Sequence, residues 1–347
     1  DVLGSRGLGD VYKRQVIMST YRKRKPRIRY DRIIGVAAIL IVLLILLVSC
    51  CKSCGKNDDK KAGNTSSIVP TDNKNNSKDS ESSASDDSSL ESLDSYSTIS
   101  AMPNDIYTGD LILVNKQHEY SFPATEEDSN IVPVYEIKSD SYQVNDYETY
   151  LDSNTIKVLN SLLDAFYNES GLTDIMVISG YRTKEYQDDK YNAGTSDVQG
   201  GYSEYHTGLS FDLGIFPQDE NSYYYIPDGN YAWIEENCAK YGFIVRYPEK
   251  KEDKTGMESK SYQFRYVGVP HAVYMSENNL CLEEYIDQVK NYTYEGEHLK
   301  VAGTDKNYEI YYVAADLSSN TDIPVPSDKT YTVSGNNIDG FIVTVEI

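Results

Sequence analysis

Ser203-Glu204-Tyr205-His206-Thr207-Gly208-Leu209-Ser210-Phe211-Asp212 leads from a Gly-rich loop (Gly194, Gly200, Gly201) into an apolar run, Leu209 to Ile215, that reads as a strand. Upstream, Ile175-Met176-Val177-Ile178 reads as a buried strand, followed by Ser179-Gly180-Tyr181-Arg182 and a polar helix that starts near Thr183 and bears Gln187. Further upstream, Ile156, Leu159, Leu163 and Phe166 recur at helical spacing behind the capping candidates Asp152 and Ser153, which predicts an amphipathic helix. Leu111 to Val114 reads as another strand. Downstream, Tyr231 to Tyr241 predicts a helix stopped at Gly242, Phe243 to Tyr247 and Tyr262 to Val267 predict strands, and Leu282 to Tyr292 a closing helix. Helices between and beside short strands make an α+β domain over residues 104–292. Tyr308 to Ala314, Thr330 to Val333 and Phe341 to Ile347 are β-rich runs separated by turn residues, so 293–347 reads as a small β appendage.

The N-terminal part has a different character. Residues 1–17 show neither an element's periodicity nor a targeting layout and resemble a translated adapter, a probable non-native leader set aside from fold reasoning. Residues 18–32 form a basic tail with seven Lys/Arg, and Ile33 to Cys51 is an uncharged apolar run. As a helix that run reaches roughly 28 Å, about the thickness of a bilayer core. Basic residues before it and few after place the tail in the cytoplasm and the folded part outside a bacterial cell membrane, as a single-pass protein. A second reading takes Leu47-Val48-Ser49-Cys50 as a lipoprotein signal anchored at Cys50; both put the domain outside. Residues 52–103, rich in Ser, Asp, Asn and Lys, read as a disordered stalk.

The chain carries a net charge of −21, and beyond residue 51 the balance is 23 Lys/Arg against 51 Asp/Glu, which repels phosphate backbones and argues against a nucleic-acid partner. Cys238 and Cys281 are the two cysteines of the folded region; outside a cell they are a disulfide candidate, the alternative being two buried thiols. The 32 tyrosines suit half-buried β-surfaces, or, around Tyr181, Tyr205 and Tyr262, a saccharide or peptide cleft.

Three segments, taken in order, resemble the VanY-type D,D- and L,D-carboxypeptidases: Ser179-Gly180-Tyr181-Arg182 with Gln187, Ser203 to Asp212, and Tyr241 to Pro248 followed by Thr255-Gly256 and Tyr262-Gln263-Phe264-Arg265-Tyr266-Val267-Gly268. The likeness covers roughly Leu111 to Tyr285. It implies a small α+β zinc peptidase fold acting on peptidoglycan stem peptides. The resemblance also implies a transition-state role for Arg182, substrate contacts from Tyr181, Arg182, Gln187, Ser203 and Arg265, and zinc held by three side chains with a glutamate base. Asp212 retains one ligand position. The other two hold Tyr205 and Gln263, and the general-base position holds Lys260.

Catalytic zinc wants three imidazole or carboxylate ligands and an open position for water. A phenol, an amide and an ammonium answer that need poorly. Three functions follow as expectations: a stem-peptide-binding protein with a degenerate site, an active D,D-carboxypeptidase in which His206 or His271 rescues the metal, or a structural, partner-binding platform. His206 stands one residue short of the ligand spacing to Asp212, which in extended chain turns a side chain to the other face.

Overall fold

Strand-forming runs supply most of the scaffold. A computed structural model describes residues 95–124, 129–218 and 221–347. The leader, the basic tail, the apolar run 33–51 with Cys50, and the stalk up to residue 94 lie outside the described residues. In chain order the strands are β1 (Tyr96–Ala101), β2 (Ile131–Pro133), β3 (Gln143–Val144), β4 (Tyr150–Asp152), β5 (Ile175–Ser179), β6 (Ser210–Ile215) and β7 (Tyr223–Tyr224). They continue as β8 (Phe243–Tyr247), β9 (Lys260–Tyr266), β10 (Leu299–Ala302), β11 (Asn307–Ala314), β12 (Thr321–Pro326), β13 (Tyr331–Gly335) and β14 (Gly340–Glu346). The longer helices are α1 (Ser153–Ser170), α2 (Lys184–Asn192), α3 (Val269–Glu277) and α4 (Leu282–Val289).

The central sheet runs β3-β5-β6-β9-β8, with β7 beside β6, and all its pairings are antiparallel except β3 with β5. One face buries Phe211, Leu213 and Phe264 against Ile156, Leu159, Leu163 and Phe166 of α1. Helix α1 forms where its apolar spacing predicts. Asp152 caps it by accepting the Thr155 N–H at 2.9 Å, and Gly171, in the left-handed region, ends it. Asp152→Ala is expected to cost about 1 kcal/mol, a fall of about 2–4 °C in thermal midpoint. An unchanged midpoint would reject the cap's contribution.

The C-terminal strands form a second sheet, β10-β11-β14-β13, which shares an apolar core with α3, α4 and the β8 end of the first: Ile310, Tyr312 and Ile342 pack with Met275, Tyr285, Ile286 and Ile244. Its other face is covered by the ribbon β1-β12, through Ile323, Val325 and Ala101. The described residues belong to one compact unit.

Three sequence expectations change here. Tyr96–Ala101, inside the span read as stalk, is a strand paired in register with β12 more than 200 residues later, a partner no local composition announces. Pro324 and Pro326 sit on β12, whose free edge makes no ladder bond. Leu111 to Val114 is buried but is not a strand: the Asp110 and Ile112 carbonyls accept from Arg265, and the Leu113 carbonyl accepts from Asn337. The segment read as one helix over Tyr231 to Tyr241 is a six-residue α-helix, Ala232–Asn237, between two 3-10 turns, and it does stop at Gly242. Among the described residues no helix is long and apolar enough to cross a membrane.

Candidate functional site

Register brings the site together. Asp212 on β6 lies opposite Ser179 on β5 and opposite Gln263 on β9, so three polar residues form one row across the middle of the sheet. Residues directly opposite in an antiparallel pair share a face. Phe211 and Phe264, paired one step along, point to the α1 core, which leaves the Asp212 row on the other face.

Above that row stands Arg182. The chain leaves β5 through Gly180, where a Cβ would stand 2.4 Å from the Tyr150 carbonyl; glycine permits that approach, and the Tyr181 N–H donates to the same oxygen at 2.8 Å. The Arg182 guanidinium then donates to Ser179 Oγ at 2.9 Å and to Gln187 Oε1 at 3.0 Å, and lies 3.6 Å over the Tyr205 ring. Gln187, fully buried at the Arg182-facing side of α2, donates in turn to Ser196 Oγ and the Val198 carbonyl. A guanidinium held on two acceptors and an aromatic face keeps its fork aimed in one direction. Gln187 thus positions Arg182.

Tyr205 donates its hydroxyl to Asp212 Oδ1 at 2.6 Å. Burial, and next the Asp212 charge, push its phenol well above the ordinary tyrosine range, so it stays protonated. Burial likewise raises the Asp212 carboxyl, with Arg182, the Tyr205 hydroxyl and Lys260 pulling the other way. Lys260 is lowered by burial while Asp212 favours its charged form. Gln263 is 1% exposed and its Oε1 has no hydrogen-bond partner. Ser203, also buried, precedes the 3-10 turn that carries Tyr205.

These residues do not fit a catalytic zinc. Asp212 is the sole anionic donor of the row and is already bonded to a phenol; the remaining positions offer a neutral hydroxyl, an amide oxygen and an ammonium that opposes a cation. Among the described residues no group of three or more His, Cys, Asp or Glu could hold a metal ion.

The proposed rescuers have other partners. His206 accepts the Gly201 N–H on Nε2 at 2.9 Å and donates from Nδ1 to the Arg182 carbonyl at 2.6 Å, so both ring nitrogens are committed to backbone. His271 sits in the second core, bonded to the Tyr285 and Thr344 hydroxyls, and burial lowers it to about 3. Arg265, expected to touch substrate, is fully buried and donates to Glu204 and to the Asp110 and Ile112 carbonyls. Cys238 and Cys281 are both free: Cys238 belongs to the α1 core, whereas Cys281 precedes α4, whose Leu282, Tyr285 and Ile286 belong to the other.

Glu204 is the residue that motif reading passed over. It is 2% exposed, accepts from Arg265 and Ser210, and lies 2.9 Å from Arg246 Nε; Arg246 also donates to both Glu283 oxygens. Burial raises its carboxyl, but the two guanidiniums together hold it below the ordinary range. Its signal was present: Arg246 and Arg265 stand inside aromatic and aliphatic strands, and buried arginines need a carboxylate.

The chain has relatives among known proteins. The profile of the VanY family, D-alanyl-D-alanine carboxypeptidase, matches residues 148–269. A D-alanyl-D-alanine carboxypeptidase of Enterococcus faecium is 34% identical over 243 residues, 69% of this chain and 76% of the relative. The solved vancomycin resistance D,D-dipeptidase VanXYg, in complex with a D-Ala-D-Ala phosphinate analogue, is 30% identical with a TM-score of 0.63, over 73% of this chain and all of the other. A solved D,D-pentapeptidase VanY variant in complex with Zn(II) is 29% identical, over 51% of this chain and 98% of its own, with a TM-score of 0.39.

Proposed function

The chain belongs to the D-alanyl-D-alanine carboxypeptidase (VanY) family, and from that premise we propose that it binds the carboxyl-terminal end of peptidoglycan stem peptides without hydrolysing them. The observation that carries this reading is the contrast within one site. The guanidinium mount, Arg182 on Ser179 and Gln187, is complete, while the donors around Asp212 are wrong for the family's zinc. Arg182 has five N–H donors and gives two of them to those neighbours, so its fork can still pair with a ligand carboxylate. Lys260 adds a second positive charge to that of Arg182 beside Asp212, which favours an anionic ligand end.

The same reading places the domain at the cell wall, tethered through residues 33–51, because the basic tail precedes the apolar run and the stem peptide lies outside the membrane. Calorimetry of the full chain with a peptide ending in D-Ala-D-Ala is expected to show binding that a chelator does not change and that releases no D-alanine. Arg182→Ala should weaken binding roughly 10- to 100-fold, the value of hydrogen bonds to a charged group. Chelator-sensitive release of D-alanine by the natural chain would overturn the proposal, as would unchanged binding in the variant.

A further inference from the structure

The unpartnered oxygen of Gln263 points to what the cleft recognises besides a carboxylate. A buried amide oxygen left without a donor is disfavoured, and native folds keep few of them. Gln263 stands in the row opposite Asp212, at the site and not in an apolar core, and is 1% exposed. Its neighbours do not relieve it: the Tyr205 hydroxyl is given to Asp212, and the Arg182 fork is anchored two strands away at Ser179. The oxygen therefore has no donor within the fold and lies almost fully buried beside the row, so a donor from outside must enter there to reach it.

We infer that Gln263 Oε1 accepts the last amide N–H of the bound peptide, making it the residue that selects amide-linked termini. This rests on the binding reading above and deepens it. In a peptide the terminal carboxylate and the last N–H share one α-carbon, so a ligand whose carboxylate pairs with Arg182 carries its N–H into the same cleft. Two strand spacings, roughly 10 Å, separate the backbones at Ser179 and Gln263. The Gln263 side chain, one terminal residue and a hydrogen bond at each end span that gap. The ligand class is then a chain ending in a free carboxylate with an unsubstituted N–H before it; an ester oxygen at that place meets the Gln263 oxygen lone pair to lone pair.

The test pairs two ligands with three proteins: a peptide ending in D-Ala-D-Ala and the same molecule with its last N–H replaced by an ester oxygen, against the full natural chain, Gln263→Met and Arg182→Ala. The natural chain is expected to prefer the amide by about 5- to 150-fold, the value of a buried polar group left unpaired. Gln263→Met, which fills the volume without an acceptor, should bind both ligands within about twofold of each other. Arg182→Ala should weaken both by similar factors. Equal binding of amide and ester by the natural chain overturns the inference and leaves the carboxylate reading standing, as does a preference that persists in Gln263→Met. If neither ligand binds the natural chain, the binding reading falls and this inference with it. Thermal midpoints give an independent check: Gln263→Met should melt no lower than the natural chain, and a clear fall would show that the oxygen has a partner within the fold.

Discussion

Glu204→Gln is expected to destabilise the fold by about 3–5 kcal/mol, because it strips the charge that neutralises two fully buried arginines. Arg265 would be left with neutral acceptors alone, among them the Asp110, Ile112 and Tyr266 carbonyls, whereas Arg246 would retain the Glu283 carboxylate. Against a total of about 5–15 kcal/mol such a loss is a large fraction of stability. The effect should reach the site as well, since Glu204 adjoins both Ser203 and Tyr205 and fixes the turn that presents the phenol to Asp212. Glu283→Gln is a graded control: its side chain is 12% exposed and it serves one arginine, so its cost should be smaller. Urea unfolding measures both. A Glu204→Gln cost below about 1 kcal/mol, the range of ordinary surface ion pairs, would refute the account of the network.

The second large effect is a gain. Tyr205→His, Lys260→Glu and Gln263→His made together are expected to give a chain that retains about one zinc per molecule through dialysis and releases D-alanine from a stem peptide. The geometry favours this because both new imidazoles start from positions already directed at Asp212, Tyr205 by its hydroxyl bond and Gln263 by register. Replacing Lys260 by glutamate removes a positive charge and adds a negative one beside the cation, and supplies a carboxylate able to take a proton from water. Tyr205→His alone should stay metal-poor, since two donors beside an ammonium do not make a zinc site. Metal analysis of the three proteins decides it. Stoichiometric zinc in the natural chain, or none in the triple variant, would defeat the argument.

Much of the scaffold was legible because it rests on local signals. Helix α1 announces itself by apolar spacing and the Asp152 cap, α2 by Thr183, and β5, β6, β8 and β9 by buried runs between glycine turns. The motif spacing likewise picked out Arg182, Gln187, Tyr205, Asp212, Lys260 and Gln263, six positions that the fold gathers along the Asp212 row or its supports. Other features depended on partners far away in sequence. β1 became a strand because β12 offers it an edge, and Leu111 to Val114 did not because Arg265 and Asn337 claim its carbonyls.

The sequence by itself determined the α+β class and the family, since these depend on residue type and spacing along the chain. Only the tertiary structure decided what the residues of the motif segments do. Tyr205 became a proton donor to Asp212, His206 a backbone clasp, Arg265 a partner of Glu204, and Gln263 an acceptor without a donor. The physical reason is that a polar side chain takes its role from the nearest group able to pair with it once water is excluded, and that group is chosen by strand register and packing rather than by sequence neighbours.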